Sequence, residues 1–245
     1  MRLLVKSFII VLFSILILSS CDKSAKDGEI SKPASTDYKA SVQKEEGTTS
    51  TTETGEDFSL LREEPFNRIE SDETCDTPVV MEFFAYQCPH CFTLESEAKK
   101  WKDANQGKVK FVAIPTHLGN EQFGSFLIVH HAAKILGVLD KATPALFKRI
   151  HEENKGFSSP DDAINFLVAL GASPEKAKSA VESDEQIKTS IDESFRLLAK
   201  YKIAGVPTII VNHKYQFDVT KAGGYDKVFD VVNQTLALDS NCTNQ

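Results

Sequence analysis

Cys88-Pro89-His90-Cys91 is the arrangement in this chain best suited to chemistry. Two cysteines separated by two residues can close a disulfide within one turn of chain, and either sulfur can resolve a mixed disulfide formed on the other. The tetrad follows an apolar run, Val79 to Tyr86, and opens a stretch from Phe92 to Asn105 with Leu94, Ala98 and Trp101 at helical spacing. Unpaired backbone amides and the macrodipole at a helix N-terminus favour negative charge, so Cys88 is expected to ionise readily. Cys88 is then the nucleophile, Cys91 the resolving thiol, and thiol-disulfide exchange the reaction. His90, as a hydrogen-bond donor or imidazolium, would favour the Cys88 thiolate and make the disulfide more oxidising. Pro89 and His90 are not packing residues, which argues against two buried structural thiols; both belong to the expected catalytic tetrad. A four-cysteine zinc site would need a second ligand pair, and Cys75 and Cys242 lack the spacing. No metal and no cofactor are assigned.

The elements that would position this dithiol follow from periodicity and caps. A short strand near Phe58 to Leu61 precedes the strand Val79 to Tyr86, then the redox helix, then a strand from Val109 to Ile114. A helical block comes next: Glu121 to Gly137, segments opened by Thr143-Pro144, Ser159-Pro160 and Ser173-Pro174, and Asp184 to Tyr201. Each Ser-Pro or Thr-Pro pair supplies an N-cap and a proline at the first helical position. Thr208 to Val211 and Lys214 to Asp218 read as a strand pair joined by Asn212-His213, and Tyr225 to Leu238 as a last helix. The expectation is an α/β domain, residues 58–117 and 203–245, with a helical insertion at 118–202. Glu82 is the one charge in a buried-looking strand: it sits beneath the dithiol, with Lys110 of the next strand as a partner, or points to solvent at a strand edge. Adjacent His130 and His131 point in different directions and cannot chelate as an i, i+4 pair. For His117 and His151 the sequence shows no partner.

Arg2 and Lys6 precede an apolar core, Phe8 to Leu18, too short for a comfortable membrane span, and Leu18-Ser19-Ser20-Cys21 follows. That ending resembles the lipobox of bacterial lipoproteins, which implies cleavage before Cys21 and a lipid on it. Residues 1–21 are read as this signal. Asp22 after the cysteine resembles the inner-membrane retention signal of Gram-negative bacteria. Residues 22–57 are rich in Lys, Glu, Ser, Thr and Gly, cannot bury a core, and read as a disordered tether. Such a chain spans roughly 30 to 36 Å end to end. The formal charge is −7, and losing Arg2 and Lys6 with the signal takes it to −9, with no basic patch for nucleic acid. Of five cysteines, Cys75 and Cys242 are left over; an oxidising compartment would tend to pair them, and two free thiols are the alternative.

Val80-Met81-Glu82-Phe83-Phe84, Cys88-Pro89-His90-Cys91, Gly205-Val206-Pro207 and Val211-Asn212-His213-Lys214-Tyr215-Gln216 together resemble the DsbA family of periplasmic thiol-disulfide oxidases, over Phe58 to Leu238. The resemblance implies a thioredoxin fold with an inserted helical subdomain and the introduction of disulfides into newly exported proteins. It implies a cis Pro207 facing the dithiol, with the Val206 backbone exposed for strand-like pairing with an extended substrate. It implies a proton-transfer or tuning role for Glu82. Partners would be reduced, unfolded exported proteins and a DsbB-type membrane quinone reductase for reoxidation, and the protein would be a monomer on the periplasmic side of a bacterial envelope. The lipobox, tether and extra cysteines depart from soluble members, as does His213 where the hairpin turn usually has glycine. An isomerase or reductase, or a chaperone-like binding module for unfolded exported chains, are the other functions this sequence leaves open.

Overall fold

The computed structural model describes residues 63–73, 77–239 and 242. Five strands form one sheet: β1 (Asn67–Arg68), β2 (Val79–Phe84), β3 (Lys110–Pro115), β4 (Thr208–Val211) and β5 (Tyr215–Asp218), in the order β1-β5-β4-β2-β3. β2 runs parallel to β3 and antiparallel to β4, while β5 is antiparallel to both β4 and β1. The strand expected at Phe58 to Leu61 lies outside the described residues, and the first described strand is Asn67–Arg68. β2 is an interior strand, between β4 and β3, and is buried along its whole length, as an apolar run covered on both faces should be. Its side chains alternate. Val79, Met81 and Phe83 join Ile114, Tyr201 and Ile210 on one face, and Val80 packs with Leu94, Ala98, Trp101 and Phe229 on the other. Glu82 and Phe84 share the face of Val80.

Helix α1 (Pro89–Ala104) lies on that face, burying Cys91, Leu94, Ala98 and Trp101. It begins three residues earlier than the apolar spacing predicts, so the cysteine tetrad forms its cap and first turn. Between β3 and β4 come α2 (Gly124–Ile135), α3 (Leu139–His151), α4 (Pro160–Ala169), α5 (Pro174–Ser183) and α6 (Glu185–Lys200). Ser159 and Ser173 cap α4 and α5 with their side chains and proline follows each. Thr143-Pro144 does not open a helix: α3 starts at Leu139 and carries Pro144 inside it, with the Thr143 hydroxyl donating to the Leu139 carbonyl at 3.1 Å. A short helix α7 (Val219–Ala222), which periodicity did not reveal, follows β5. The last predicted helix is split into a 3-10 turn, Tyr225–Lys227, and α8 (Val228–Leu238). Asn212 and His213 both have positive φ, 49° and 61°, and the Lys214 amide donates to the Val211 carbonyl at 3.0 Å. This is the two-residue turn that matches strand twist, which explains how His213 is accommodated without glycine.

Candidate redox site

Cys88 is the N-cap of α1 in extended geometry, φ −84° and ψ 117°, with Pro89 at the first helical position. No side chain caps this helix end, so its first amides are available to the Cys88 sulfur. The sulfur is half-buried and lies 3.4 Å from the Val206 carbonyl oxygen, to which the protonated thiol donates. Cys91, one turn on, is buried, and both cysteines are free thiols here. The hydrogen bond from the Cys91 thiol, joined by the Cys91 and His90 amides and the charge of His90, outweighs burial and pulls Cys88 down to about 6. Cys91 is pushed well up, first because it donates that bond and then by burial. One thiolate, on the more accessible sulfur, is therefore what the pair offers at neutral pH.

The Val206-Pro207 peptide is cis. Val206 and Pro207 line a cavity of about 720 Å³ beside the dithiol, together with His90, Gln216, Asp218 and Tyr225. The Val206 backbone faces this cavity from the end of an antiparallel pair, the geometry an extended peptide needs in order to add a strand.

Glu82, whose charge acts on Cys91, is 4% exposed and lies opposite Ala113 in the β2–β3 register. Burial, reinforced by the charge of Glu95, pushes it up to about 8, against an opposing pull from Lys102. Lys102 and Glu95, both on α1, are 3.9 Å apart. The expected partner, Lys110, is exposed on edge strand β3 opposite Val79, three residues along from the place facing Glu82. Lys102 fills the cationic role instead, because α1 crosses the face to which the pleat directs Glu82. A cavity of about 600 Å³ lined by Glu82, Glu95, Lys102 and Lys110 opens this carboxylate pair outward.

Several side chains around the site make contacts that their neighbours in sequence do not mark. His151, expected to stand alone, donates from Nε2 to the Tyr86 carbonyl at 2.8 Å and stacks on Phe92, rings 3° from parallel and 4.6 Å apart. It ties α3 of the insertion to the residues flanking the tetrad. The Gln87 amide donates to the His117 carbonyl at 2.8 Å, and the Gly119 amide donates to His117 Nδ1 at 3.1 Å. His130 is buried against the Tyr86 hydroxyl at 2.8 Å, and burial keeps it well below the ordinary histidine range. Tyr225 reaches His90. Helical spacing could have flagged Glu95, four residues after Cys91 on one face; nothing local marks His151 or Tyr225.

Cys242 is buried and disulfide-bonded. Its expected partner Cys75 lies outside the described residues, as does Cys21. Near this end of the chain Lys214 and Asp239 pair at 2.7 Å.

A protein-family model described as DSBA-like thioredoxin domain matches residues 79–233. The chain is 32% identical over 161 residues to the thiol:disulfide interchange protein DsbA of Pseudomonas aeruginosa, covering 64% of this chain and 74% of that one. The protein of the same name from Burkholderia cepacia is 29% identical over 166 residues, covering 66% and 74%. A crystal structure of Pseudomonas aeruginosa DsbA superposes with a TM-score of 0.65 at 26% identity, over 73% of this chain and 93% of the other.

Proposed function

The chain belongs to the DSBA-like thioredoxin domain family of thiol-disulfide oxidoreductases, and from that premise we propose a lipid-anchored dithiol oxidase on the periplasmic side of a bacterial envelope. The observation that carries the chemistry is the split between the two sulfurs, Cys88 held low at a helix N-terminus and Cys91 buried and held high. In the oxidised protein a substrate thiolate attacks the Cys88 sulfur, and Cys91 leaves and takes up a proton. Glu82, protonated at neutral pH and below Cys91, is the group suited to supply it. A second substrate thiolate then attacks the substrate sulfur of the mixed disulfide and expels Cys88, a good leaving group because its thiolate is stabilised. Two electrons pass to the enzyme, one disulfide appears in the substrate, and the stabilised reduced form drives the exchange in the oxidising direction. Val206 and Pro207 hold the substrate strand.

Reduced, unfolded exported proteins are the substrates, and a DsbB-type membrane quinone reductase takes the electrons away. The signal, the Leu18-Ser19-Ser20-Cys21 ending and the polar stretch 22–57 support an anchor on Cys21 with the catalytic domain on a tether, and Asp22 favours the inner membrane. A disulfide between Cys75 and Cys242 completes the cysteine assignment, supported by the bonded state of Cys242. The test of the enzyme is its equilibrium with glutathione. A strongly oxidising potential for Cys88 and Cys91 is expected, whereas a thioredoxin-like one would make it a reductase.

Anchoring and chemistry belong to separate segments and should uncouple. Cys21→Ala is expected to move the protein from the membrane to the soluble fraction while its rate of dithiol oxidation in vitro stays within about twofold of the parent. Unchanged partitioning into detergent would show that something other than Cys21 holds it there.

A further inference from the structure

His90 is exposed at the second position of α1, yet its ring is not free. Its Nδ1 is 2.5 Å from the Tyr225 hydroxyl, and the two rings face each other at 23°, centroids 6.3 Å apart. Tyr225 comes from 135 positions downstream, at the start of the 3-10 turn Tyr225–Lys227. Gly223 and Gly224 precede it with φ of 90° and 134°, and a Cβ on Gly224 would stand 3.0 Å from the Asp226 carboxylate. The glycine pair thus permits the backbone path that carries the tyrosine over the redox helix. Tyr225 and His90 line the same cavity as Val206 and Pro207; Lys202 and Asp218 are its other charged residues.

Resting on the oxidase reading of this site, we propose that Tyr225 is a positioning and specificity-determining residue that holds the His90 ring relative to the Cys88 sulfur and walls the substrate groove. A hydroxyl can donate to a neutral Nδ1 or accept from a protonated one, so the restraint survives a change in ring charge. Charge acts on charge inversely with distance, and an unrestrained surface imidazole would be near the sulfur for only part of the time. A substrate strand paired to Val206 would lay a side chain beside its reacting cysteine against the Tyr225 ring, which favours an apolar or aromatic residue there.

Tyr225→Phe removes the hydroxyl and keeps the ring. The midpoint of Cys88 thiolate formation, followed by ultraviolet absorbance of the reduced protein, should rise, and the equilibrium with glutathione should become about threefold less oxidising. His90→Ala should shift both further, and adding Tyr225→Phe to it should change neither. Tyr225→Ala should raise KM several-fold for a reduced peptide with phenylalanine beside its cysteine, and little for the same peptide with glycine there. An unmoved titration in Tyr225→Phe, or an equal shift with and without His90, would overturn the positioning role. Equal KM changes for the two peptides would overturn the specificity role. Failure of the parent protein to oxidise any reduced substrate would instead remove the oxidase reading, and this inference with it.

Discussion

Cys88→Ser is expected to reduce dithiol oxidation to the uncatalysed background, while Cys91→Ser stops the reaction one step later. The asymmetry follows from geometry: only Cys88 is reachable, half-buried beside the Val206 carbonyl, whereas Cys91 is buried beneath it. Without Cys88 no disulfide can form at the helix end and no mixed disulfide can be held in the groove. Without Cys91 the Cys88 thiolate remains, and it should capture activated or disulfide-bearing substrates as adducts that persist because the resolving thiol is absent. Oxidation of a reduced unfolded protein, with intact-mass detection of the adduct, reads both. A Cys88→Ser protein that still oxidised its substrate at the parent rate would remove the mechanism. If the same variant retained the protein's whole effect on unfolded chains, the chain would be a binding module and not an oxidase.

The second large effect concerns stability. Glu82→Gln should stabilise the reduced protein by about 3 kcal/mol at pH 7 and leave it unchanged near pH 4. The carboxyl of Glu82 is buried and pushed up to about 8 in the folded state, against an ordinary value of 4.5. A group whose folded value is raised binds its proton more tightly in the folded state. Its contribution is therefore fully present below pH 4.5 and is lost as pH rises through 8. A glutamine resembles the protonated acid in shape and cannot ionise, so it escapes that loss. For a domain of this size the gain corresponds to roughly 6 to 12 °C in melting temperature at pH 7. Denaturation of parent and variant across pH 4 to 9 should show curves that coincide in acid and separate through the neutral range. Parallel curves would mean that Glu82 does not titrate in this window. The same substitution removes the proton held below Cys91, so slower release of Cys91 should accompany the added stability.

Local forces and long-range packing shape different parts of this protein. The redox tetrad, the strand before it, the Ser-Pro helix starts at 159 and 173 and the Asn212-His213 turn were legible because each depends on residues within a few positions: a cap, a ring-fixed φ, a period of two or 3.6. Where local signals compete, burial decides. Thr143-Pro144 carries a helix-start signature, yet Ala142, Leu146 and Phe147 bury themselves in the insertion's core and the helix runs through the proline from Leu139. The neighbours of Glu82 in sequence mark it as an unusual charge, but they do not mark its cationic neighbour, which depends on which helix crosses the sheet and at what height.

The reactive pair, its helix-end setting and the α/β order of elements around it all follow from local sequence. Which side chains surround that pair depends on packing between elements: Lys102 in place of Lys110 near Glu82, His151 on the Tyr86 carbonyl and Phe92, and Tyr225 on His90. The longest-range of them, His151 on Tyr86 and Tyr225 on His90, join positions 65 and 135 residues apart along the chain. Periodicity and capping act over one or two turns, whereas a side-chain contact between distant elements is set by how whole layers pack. The chemistry was therefore written locally, and its tuning was not.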